Sequence, residues 1–133
     1  MQLQVGVKAF IKNASGKYLL LKRAIVFTDE KESHWDIPGG RINPGEPLYE
    51  GLAREIKEET GLVMKGDPKI LIAQDILRPE RELHVVRLTF TVSATGKVAI
   101  DSKEHADFQW VTMKELKKLN HDLYLTPVLK LLA

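Results

Sequence analysis

The chain contains no cysteine among its 133 residues, and this absence excludes several kinds of chemistry at once. Disulfides, thiolate zinc sites and cysteine nucleophiles all require a sulfur that is not there. The four histidines are scattered without an i, i+4 pair, which also argues against a zinc site. A chain without cysteine is compatible with a reducing compartment, and we expect a cytoplasmic protein.

Long apolar runs and strong charge of one sign are missing as well. No window has the roughly 18 consecutive apolar residues of a membrane span. The first ten residues lack the basic flank and apolar run of a secretory signal. The net charge of +2 is too small to favour a nucleic acid or a membrane as partner. With 44% hydrophobic and 29% charged residues, we expect one soluble globular domain over residues 1–133.

Strand-like stretches alternate with turn signals and helical patterns, which predicts a layered α/β (α+β) domain. Residues 2–12 and 18–22 are predicted strands, and the turn signal at residues 13–16 predicts that they form a hairpin. Three consecutive leucines in the second strand indicate that both of its faces are covered. Other strands are predicted at residues 35–37, 69–77, 83–92, 98–100 and 108–111, with Pro38-Gly39-Gly40 ending the first of these.

One helix, predicted over about residues 48–60, has the most informative pattern. Leu48, Leu52 and Ile56 recur at four-residue spacing and predict a buried stripe. Gly61 is placed to end the helix in a left-handed conformation. Shorter helices are predicted after a capping box at residues 112–115 and after residue 126.

Three acidic residues of this helix, Glu55, Glu58 and Glu59, project from one face because they are three and four positions apart. Carboxylates that close repel one another unless a cation neutralises them. The acidic stripe lies beside the apolar one, which places the acids at the edge of the core, in a cleft. The pattern therefore predicts a platform for a divalent metal that grips a phosphorylated substrate.

The stretch GRINPGEPLYEGLAREIKEETGL, at positions 40–62, resembles the box that defines the Nudix hydrolase family. Every defined position of that box is filled, namely Gly40, Glu46, Arg54, Glu55, Ile56, Glu58, Glu59, Gly61 and Leu62. The preceding Trp35-x-Ile37-Pro38-Gly39 is similar to the usual entry to the box. The resemblance covers nearly the whole chain and implies the Nudix fold, a mixed curved β-sheet sandwiched between α-helices.

The resemblance also implies an activity: hydrolysis of a nucleoside diphosphate linked to another moiety, by water attack at phosphorus, with Mg²⁺ or Mn²⁺ as cofactor. The small chain favours a (d)NTP or related nucleotide. An ADP-ribose hydrolase, a dinucleoside polyphosphate hydrolase, an RNA 5′-end hydrolase and a non-catalytic nucleotide sensor are the alternatives. Mutator-type 8-oxo-dGTP hydrolases carry an asparagine near the C-terminal Pro-Val, where this chain has Leu125-Thr126, and this departure argues against an oxidised-guanine substrate without excluding it. Many relatives form homodimers, and this chain has no feature that decides the question.

The same resemblance implies roles for individual acidic residues. Glu55, Glu58 and Glu59 are the expected metal ligands, joined by a backbone carbonyl at Gly39 or Gly40. The general base is either a box glutamate or an acid from a later loop. Glu104 is the candidate from that loop, as base or as an additional ligand.

Basic and aromatic residues complete the expected site. Arg54 is expected to pair with the box carboxylates and orient them, because a guanidinium fork suits two carboxylates at once. Arg23 and Arg87 are candidate phosphate contacts, and Trp35 either stacks on a base or packs in the core. The histidines are expected to be incidental. The loops at residues 24–33, 78–82 and 101–107 are expected to select the nucleotide.

Overall fold

A computed structural model describes residues 1–24 and 34–132, which form two β-sheets and three α-helices. The predicted loop at residues 24–33 lies outside the described residues from position 25 onward. Within the described ranges, no helix combines the length and the apolar character needed to cross a membrane. The strands are β1 (Gln2–Ile11), β2 (Tyr18–Arg23), β3 (Trp35–Asp36), β4 (Gly39–Arg41), β5 (Val63–Arg78), β6 (Leu83–Thr95) and β7 (His105–Val111). The helices are α1 (Leu48–Thr60), α2 (Met113–Lys118) and α3 (Thr126–Leu132).

The larger sheet has the strand order β4-β1-β6-β5. Strands β1 and β6 run parallel over ten paired positions, and the other neighbours are antiparallel. The sheet is therefore mixed, as the family resemblance implied. The predicted strands at residues 69–77 and 83–92 are confirmed, and both extend further than the sequence pattern indicated.

The smaller sheet has the order β3-β2-β7 and is antiparallel. The predicted hairpin of the first two strands forms only at its turn, where Lys12 and Tyr18 make an isolated antiparallel bridge, because β1 and β2 then continue in different sheets. The reason lies in the three leucines of β2, which are all buried. Leu19 and Leu21 pack into one core cluster and Leu20 into the other, so β2 lies between two cores. This confirms the prediction that both faces of the strand are covered.

Two other strand predictions also needed correction. Residues 98–100 are not a strand, since the Ala99 amide donates to the Thr60 carbonyl at the end of α1 instead of joining a sheet. The Pro-Gly-Gly signal does end β3, but Gly39 then opens β4 at the edge of the larger sheet. A side chain on Gly39 would collide with the Val7 carbonyl, because φ is 154° and β1 lies directly against it.

Helix α1 has the predicted limits, residues 48–60. Leu52 and Ile56 are fully buried, whereas Leu48 at the start of the helix is largely exposed. Gly61 ends the helix at φ 75°, and its amide donates to the Lys57 carbonyl at 2.9 Å, as the sequence predicted. The capping box that opens α2 is also present in the structure, with both of its hydrogen bonds formed.

Candidate active site

A cavity of about 570 Å³ is lined by residues of both sheets, of α1 and of the segments around residues 104 and 122. This volume lies in the range of pockets that hold a small-molecule ligand, roughly 300–1,000 Å³. Its lining combines acidic and basic side chains. The cavity therefore suits a ligand that carries negative charge and is bound together with a cation.

Five acidic residues line the cavity, and three of them, Glu55, Glu59 and Glu104, lie together, whereas Asp36 and Asp122 are paired with Lys8 and Arg87. Glu55 and Glu59 leave α1 next to its buried stripe, and each side chain is only 14% exposed. Glu104 comes from the turn before β7. One donor atom each from Glu59, Glu104 and His105 lies within 4.8 Å of the other two. The structure thus brings Glu104 close to acids of α1 that lie 45 or more positions earlier in the sequence.

Burial raises the pKa of two of these carboxylates, so their ionised forms are unfavourable in the absence of a cation. Desolvation raises the pKa of Glu59 to about 7, and the nearby charges of Glu55 and Glu104 act in the same direction. The Lys8 ammonium and a 2.9 Å hydrogen bond from the Gly39 amide oppose that rise only in part. Burial also raises the pKa of Glu55, despite the Arg54 guanidinium. A divalent cation would supply the missing compensation.

Arg54 joins the acids of the loop and of the helix through one guanidinium group. It bonds both oxygens of Glu46, with Nε donating at 2.7 Å and Nη2 at 2.9 Å. Its Nη1 donates to Glu55 at 2.9 Å and to Glu58 at 3.1 Å, and its Nη2 to the Arg41 carbonyl at 3.0 Å. The hydrogen bonds from Arg54 lower the pKa of Glu46 to about 2. The guanidinium therefore holds the Glu55 carboxylate in position through a hydrogen bond.

Glu58 occupies a different position from the other two helix acids. Its side chain is 58% exposed, and it is not part of the cavity lining. The Arg54 bond holds its carboxylate beside Glu55 at the outer edge of the acidic group. The structure thus separates two inward-facing carboxylates from one at the rim.

The glycines before the helix let the backbone approach the acids closely. A Cβ at Gly40 would fall onto the carboxylate of Glu55, with both of its oxygens and its carboxyl carbon in the way. Both Gly39 and Gly40 line the cavity. Only glycine permits this separation, which places backbone groups of β4 beside the acidic side chains.

Basic side chains line the same cavity. Arg41 lies in a crowded positive region, since burial lowers its pKa and the charges of Arg87 and Arg23 lower it further. Lys8 is paired with Asp36 at 2.9 Å. Such a group favours binding of phosphate oxygens. The six basic residues in the lining are Lys8, Arg23, Arg41, Arg78, Arg81 and Arg87.

Arg87 contacts Asp122 and Tyr124, two residues of the segment before α3 that line the cavity. Its Nη1 lies 3.3 Å from Asp122, and its guanidinium lies 5.5 Å from the centre of the Tyr124 ring. Asp122 in turn accepts the Tyr124 amide at 2.8 Å. The apolar residues Ile76, Leu83 and Val85 also line the cavity. This region offers an aromatic ring, a carboxylate and apolar surface to the ligand.

Of the predicted site residues, Arg23, Arg87, Glu55, Glu59, Glu104, Gly39 and Gly40 line the cavity. Trp35 does not: it is 9% exposed and packs in a core cluster with Phe10, Leu20 and Ile37. The sequence left two roles for Trp35, stacking on a base or packing in the core, and its position in the structure is that of a packing residue.

His105 was not among the predicted site residues, but it is 5% exposed and lines the cavity. Its Nε2 lies 3.9 Å from a Glu59 oxygen, and burial lowers its pKa, so the imidazole is neutral near pH 7. The only sequence signal was its position directly after Glu104. A scattered histidine has no spacing pattern, so only the fold could connect it with the helix acids.

The donor set fits a hard divalent cation. Carboxylate and carbonyl oxygens are the ligands that Mg²⁺ and Mn²⁺ prefer. Glu55, Glu59 and Glu104 offer carboxylates in the cavity, and the Gly40 backbone approaches the Glu55 carboxylate closely. The raised pKa of Glu59 is the expected property of a carboxylate that is arranged for a cation.

Known proteins resemble the chain over most of its length. The NUDIX domain family model matches residues 2–132. The nucleoside triphosphatase NudI of Escherichia coli O17:K52:H18 is 33% identical over 120 residues, which cover 81% of this chain and 80% of NudI. A Bacillus subtilis (strain 168) protein predicted to be an 8-oxo-dGTP diphosphatase is 37% identical over 109 residues, 80% of this chain and 65% of the relative. The chain thus spans less than two thirds of that relative.

Solved structures share the fold. A MutT NUDIX hydrolase from Burkholderia pseudomallei superimposes with a TM-score of 0.86 at 23% identity, covering 100% of both chains. The MutT protein from Methanosarcina mazei Go1 gives a TM-score of 0.81 at 30% identity, covering 96% of this chain and 91% of the other. The two sheets and three helices described above are therefore an arrangement found in known NUDIX and MutT proteins.

Proposed function

The chain belongs to the NUDIX domain family, and on this basis we propose that it is a divalent-metal-dependent hydrolase of nucleotide phosphoric anhydrides. The proposed substrate is a nucleoside triphosphate or a related nucleotide. The observation that carries the proposal is the single cavity in which Glu55, Glu59 and Glu104 are combined with six basic side chains. Acids without bases would suit a metal alone, and bases without acids would suit an anion alone. Both together suit a metal-bound polyphosphate.

Each group has a chemical task in this proposal. Mg²⁺ or Mn²⁺, when bound, neutralises phosphate charge and lowers the pKa of water. Glu55, Glu58, Glu59 and Glu104, with a carbonyl of Gly39 or Gly40, are the proposed ligands. Of these, the inward-facing acids are already in the cavity, and Glu58 has to turn from Arg54 to join them.

The remaining residues bind the substrate and accept the proton. Arg23, Arg41 and Arg87 are the proposed phosphate contacts, since their positive charges are concentrated in one region of the cavity. Glu104 is exposed and reaches the cavity from the turn before β7, so it is proposed as a further metal ligand or as the general base. The Glu58 carboxylate is the other candidate for the same proton.

The choice of substrate is proposed from the relatives and from the cavity. NudI is named for nucleoside triphosphates and the Bacillus protein for 8-oxo-dGTP. The region around Tyr124 and Asp122 offers an aromatic ring for a base and a carboxylate for its N–H groups. We propose that the base lies there while the phosphates lie between the arginines and the acids.

A substrate panel tests the proposed function. Pyrophosphate and orthophosphate release are measured with Mg²⁺ and with Mn²⁺ on dNTPs, NTPs, 8-oxo-dGTP, ADP-ribose and a dinucleoside tetraphosphate. We expect turnover of at least one nucleoside triphosphate, its loss in Glu55→Gln, and its retention in Glu50→Gln. Glu50 is the matched control because it is an exposed acid on the same helix. Tight nucleotide binding without turnover would instead favour the sensor alternative.

The pKa of Glu59 predicts how metal affinity depends on pH. Its protonated form dominates below about pH 7 and competes with the metal for the same oxygens. Mn²⁺ affinity should therefore rise about tenfold per pH unit between pH 5.5 and 7 and level off above pH 7. Titration of free Mn²⁺ by electron paramagnetic resonance at several pH values measures it. An affinity that does not change over this range contradicts the prediction.

A further inference from the structure

His105 is a buried imidazole that lines the cavity beside the acidic cluster. Its Nε2 lies 3.9 Å from the Glu59 carboxylate, and its side chain is 6% exposed. Its other nitrogen, Nδ1, is buried without a hydrogen-bond partner among the described residues. Buried polar atoms are nearly always hydrogen-bonded, so the unpaired Nδ1 of a ring whose Nε2 faces a group of carboxylates requires an explanation. A histidine with a purely structural role would be expected to bond to the backbone around it.

The donor atoms around His105 lie close to the spacing of a coordination sphere. Two donors on opposite sides of an ion, with metal–ligand distances of roughly 2.0–2.2 Å, are at most about 4.4 Å apart. The donor atoms of Glu59, Glu104 and His105 all lie within 4.8 Å of one another. Adjustments of a few tenths of an ångström in side-chain position would place the three atoms around one ion.

The backbone holds Glu104 and His105 firmly at this position. Their amides donate to the same Asp101 carbonyl, at 3.1 Å and 2.9 Å. The Glu104 carbonyl accepts the Ala24 amide at 2.9 Å, which ties the turn to the end of β2. The pairing of β2 with β7 shifts register at this point, between Lys22 and Arg23. Such irregularities change the direction of side chains, and here a buried side chain joins the cavity lining.

We propose that His105 supplies a nitrogen ligand to a divalent ion that it shares with Glu59 and Glu104. An all-oxygen site suits Mg²⁺, whereas an imidazole ligand favours transition-metal ions. The site therefore prefers an ion such as Mn²⁺ to Mg²⁺. This inference rests on the proposed metal dependence and adds to it a ligand and a selectivity that the helix acids alone do not provide.

Pulsed electron paramagnetic resonance of Mn²⁺ bound to the full chain, with no nucleotide present, tests the nitrogen ligand directly. Wild-type protein should show the modulation of a directly coordinated ¹⁴N, and labelling histidine with ¹⁵N should replace that signal by one from ¹⁵N. The signal should disappear in His105→Gln. It should persist in His34→Gln, which changes the other histidine of the cavity lining, and in His84→Gln, whose ring is paired with Asp75 outside the cavity.

Metal titrations provide a second measurement on the same proteins. We expect His105→Gln to lower Mn²⁺ affinity about tenfold or more and Mg²⁺ affinity less than about twofold. Bound Mn²⁺ without a histidine nitrogen signal, or a signal that depends on His34, would overturn the role of His105 and leave the proposed function intact. Wild-type protein that binds no Mn²⁺ would overturn both. The wild-type spectrum decides between these outcomes even if the His105 variant does not fold.

Discussion

Replacing Glu59 by glutamine is expected to lower nucleotide hydrolysis by about 10³-fold while leaving the metal-free protein as stable as before or more stable. Glu59 is the proposed ligand with the strongest burial penalty, since desolvation raises its pKa to about 7. Losing a ligand that helps to stabilise the transition-state charge removes several kcal/mol, and about 4 kcal/mol corresponds to 10³ in rate. Glutamine keeps an oxygen that can accept the Gly39 amide.

Glu59→Gln is expected to lower activity but not stability, because the ionised form of Glu59 is unfavourable in the folded state. Its pKa rises from 4.5 to about 7 on folding, so the folded protein binds more protons than the unfolded chain between these values. The free energy of unfolding then falls as pH rises through this window, by about 3 kcal/mol in all. Glu59→Gln removes that dependence, and its advantage over wild type should be greatest above pH 7.

Two measurements on one variant separate function from folding. Urea unfolding of metal-free wild type and Glu59→Gln at pH 5 and pH 8 should show the variant gaining relative stability at the higher pH. Activity at pH 8 with saturating Mn²⁺ should show the large loss. Glu50→Gln, on the exposed face of α1, should change neither quantity. A variant that is less stable than wild type at pH 8, or that keeps its activity, contradicts this account of Glu59.

The acidic helix could be predicted from the sequence because every feature of it is local. The four-residue spacing of Leu52 and Ile56, the glycine at the end and the acids at three and four positions apart all lie within one short stretch. The structure confirms the limits of α1 and its glycine cap. It also places Glu55 and Glu59 beside the buried stripe, as the helical rotation predicted.

The arrangement of the strands could not be predicted in the same way. A turn signal at residues 13–16 indicates that the chain reverses, but not that the two strands will pair with each other. Strand β1 pairs instead with β6, about 80 positions later in the chain, and this pairing brings Arg87 into the cavity. His105 is missing from the predicted site for the same reason. Its neighbour in space, Glu59, is far from it along the chain.

Replacing Arg54 by methionine is expected to lower activity about 10- to 100-fold without removing any proposed ligand. Methionine retains much of the apolar stem but leaves Glu46, Glu55 and Glu58 without their shared guanidinium. The three carboxylates then repel one another, so Glu55 loses its fixed position and the melting temperature of the metal-free protein falls. Arg54→Lys should recover little activity, because an ammonium cannot bond both oxygens of Glu46 and reach Glu55 at once.

The metal itself distinguishes this positioning role of Arg54 from a general structural role. A divalent ion can neutralise Glu55 and Glu58 in place of the missing guanidinium, since both are proposed ligands. Saturating Mn²⁺ should therefore raise the melting temperature of Arg54→Met more than that of wild type, while the concentration needed for half-maximal activity rises. Thermal melts over a Mn²⁺ series, with Arg41→Met as the matched change of a nearby cavity arginine, measure the difference. If Mn²⁺ stabilises all three proteins equally, Arg54 does not act through the acids, and its bonds to them are only part of the packing around α1.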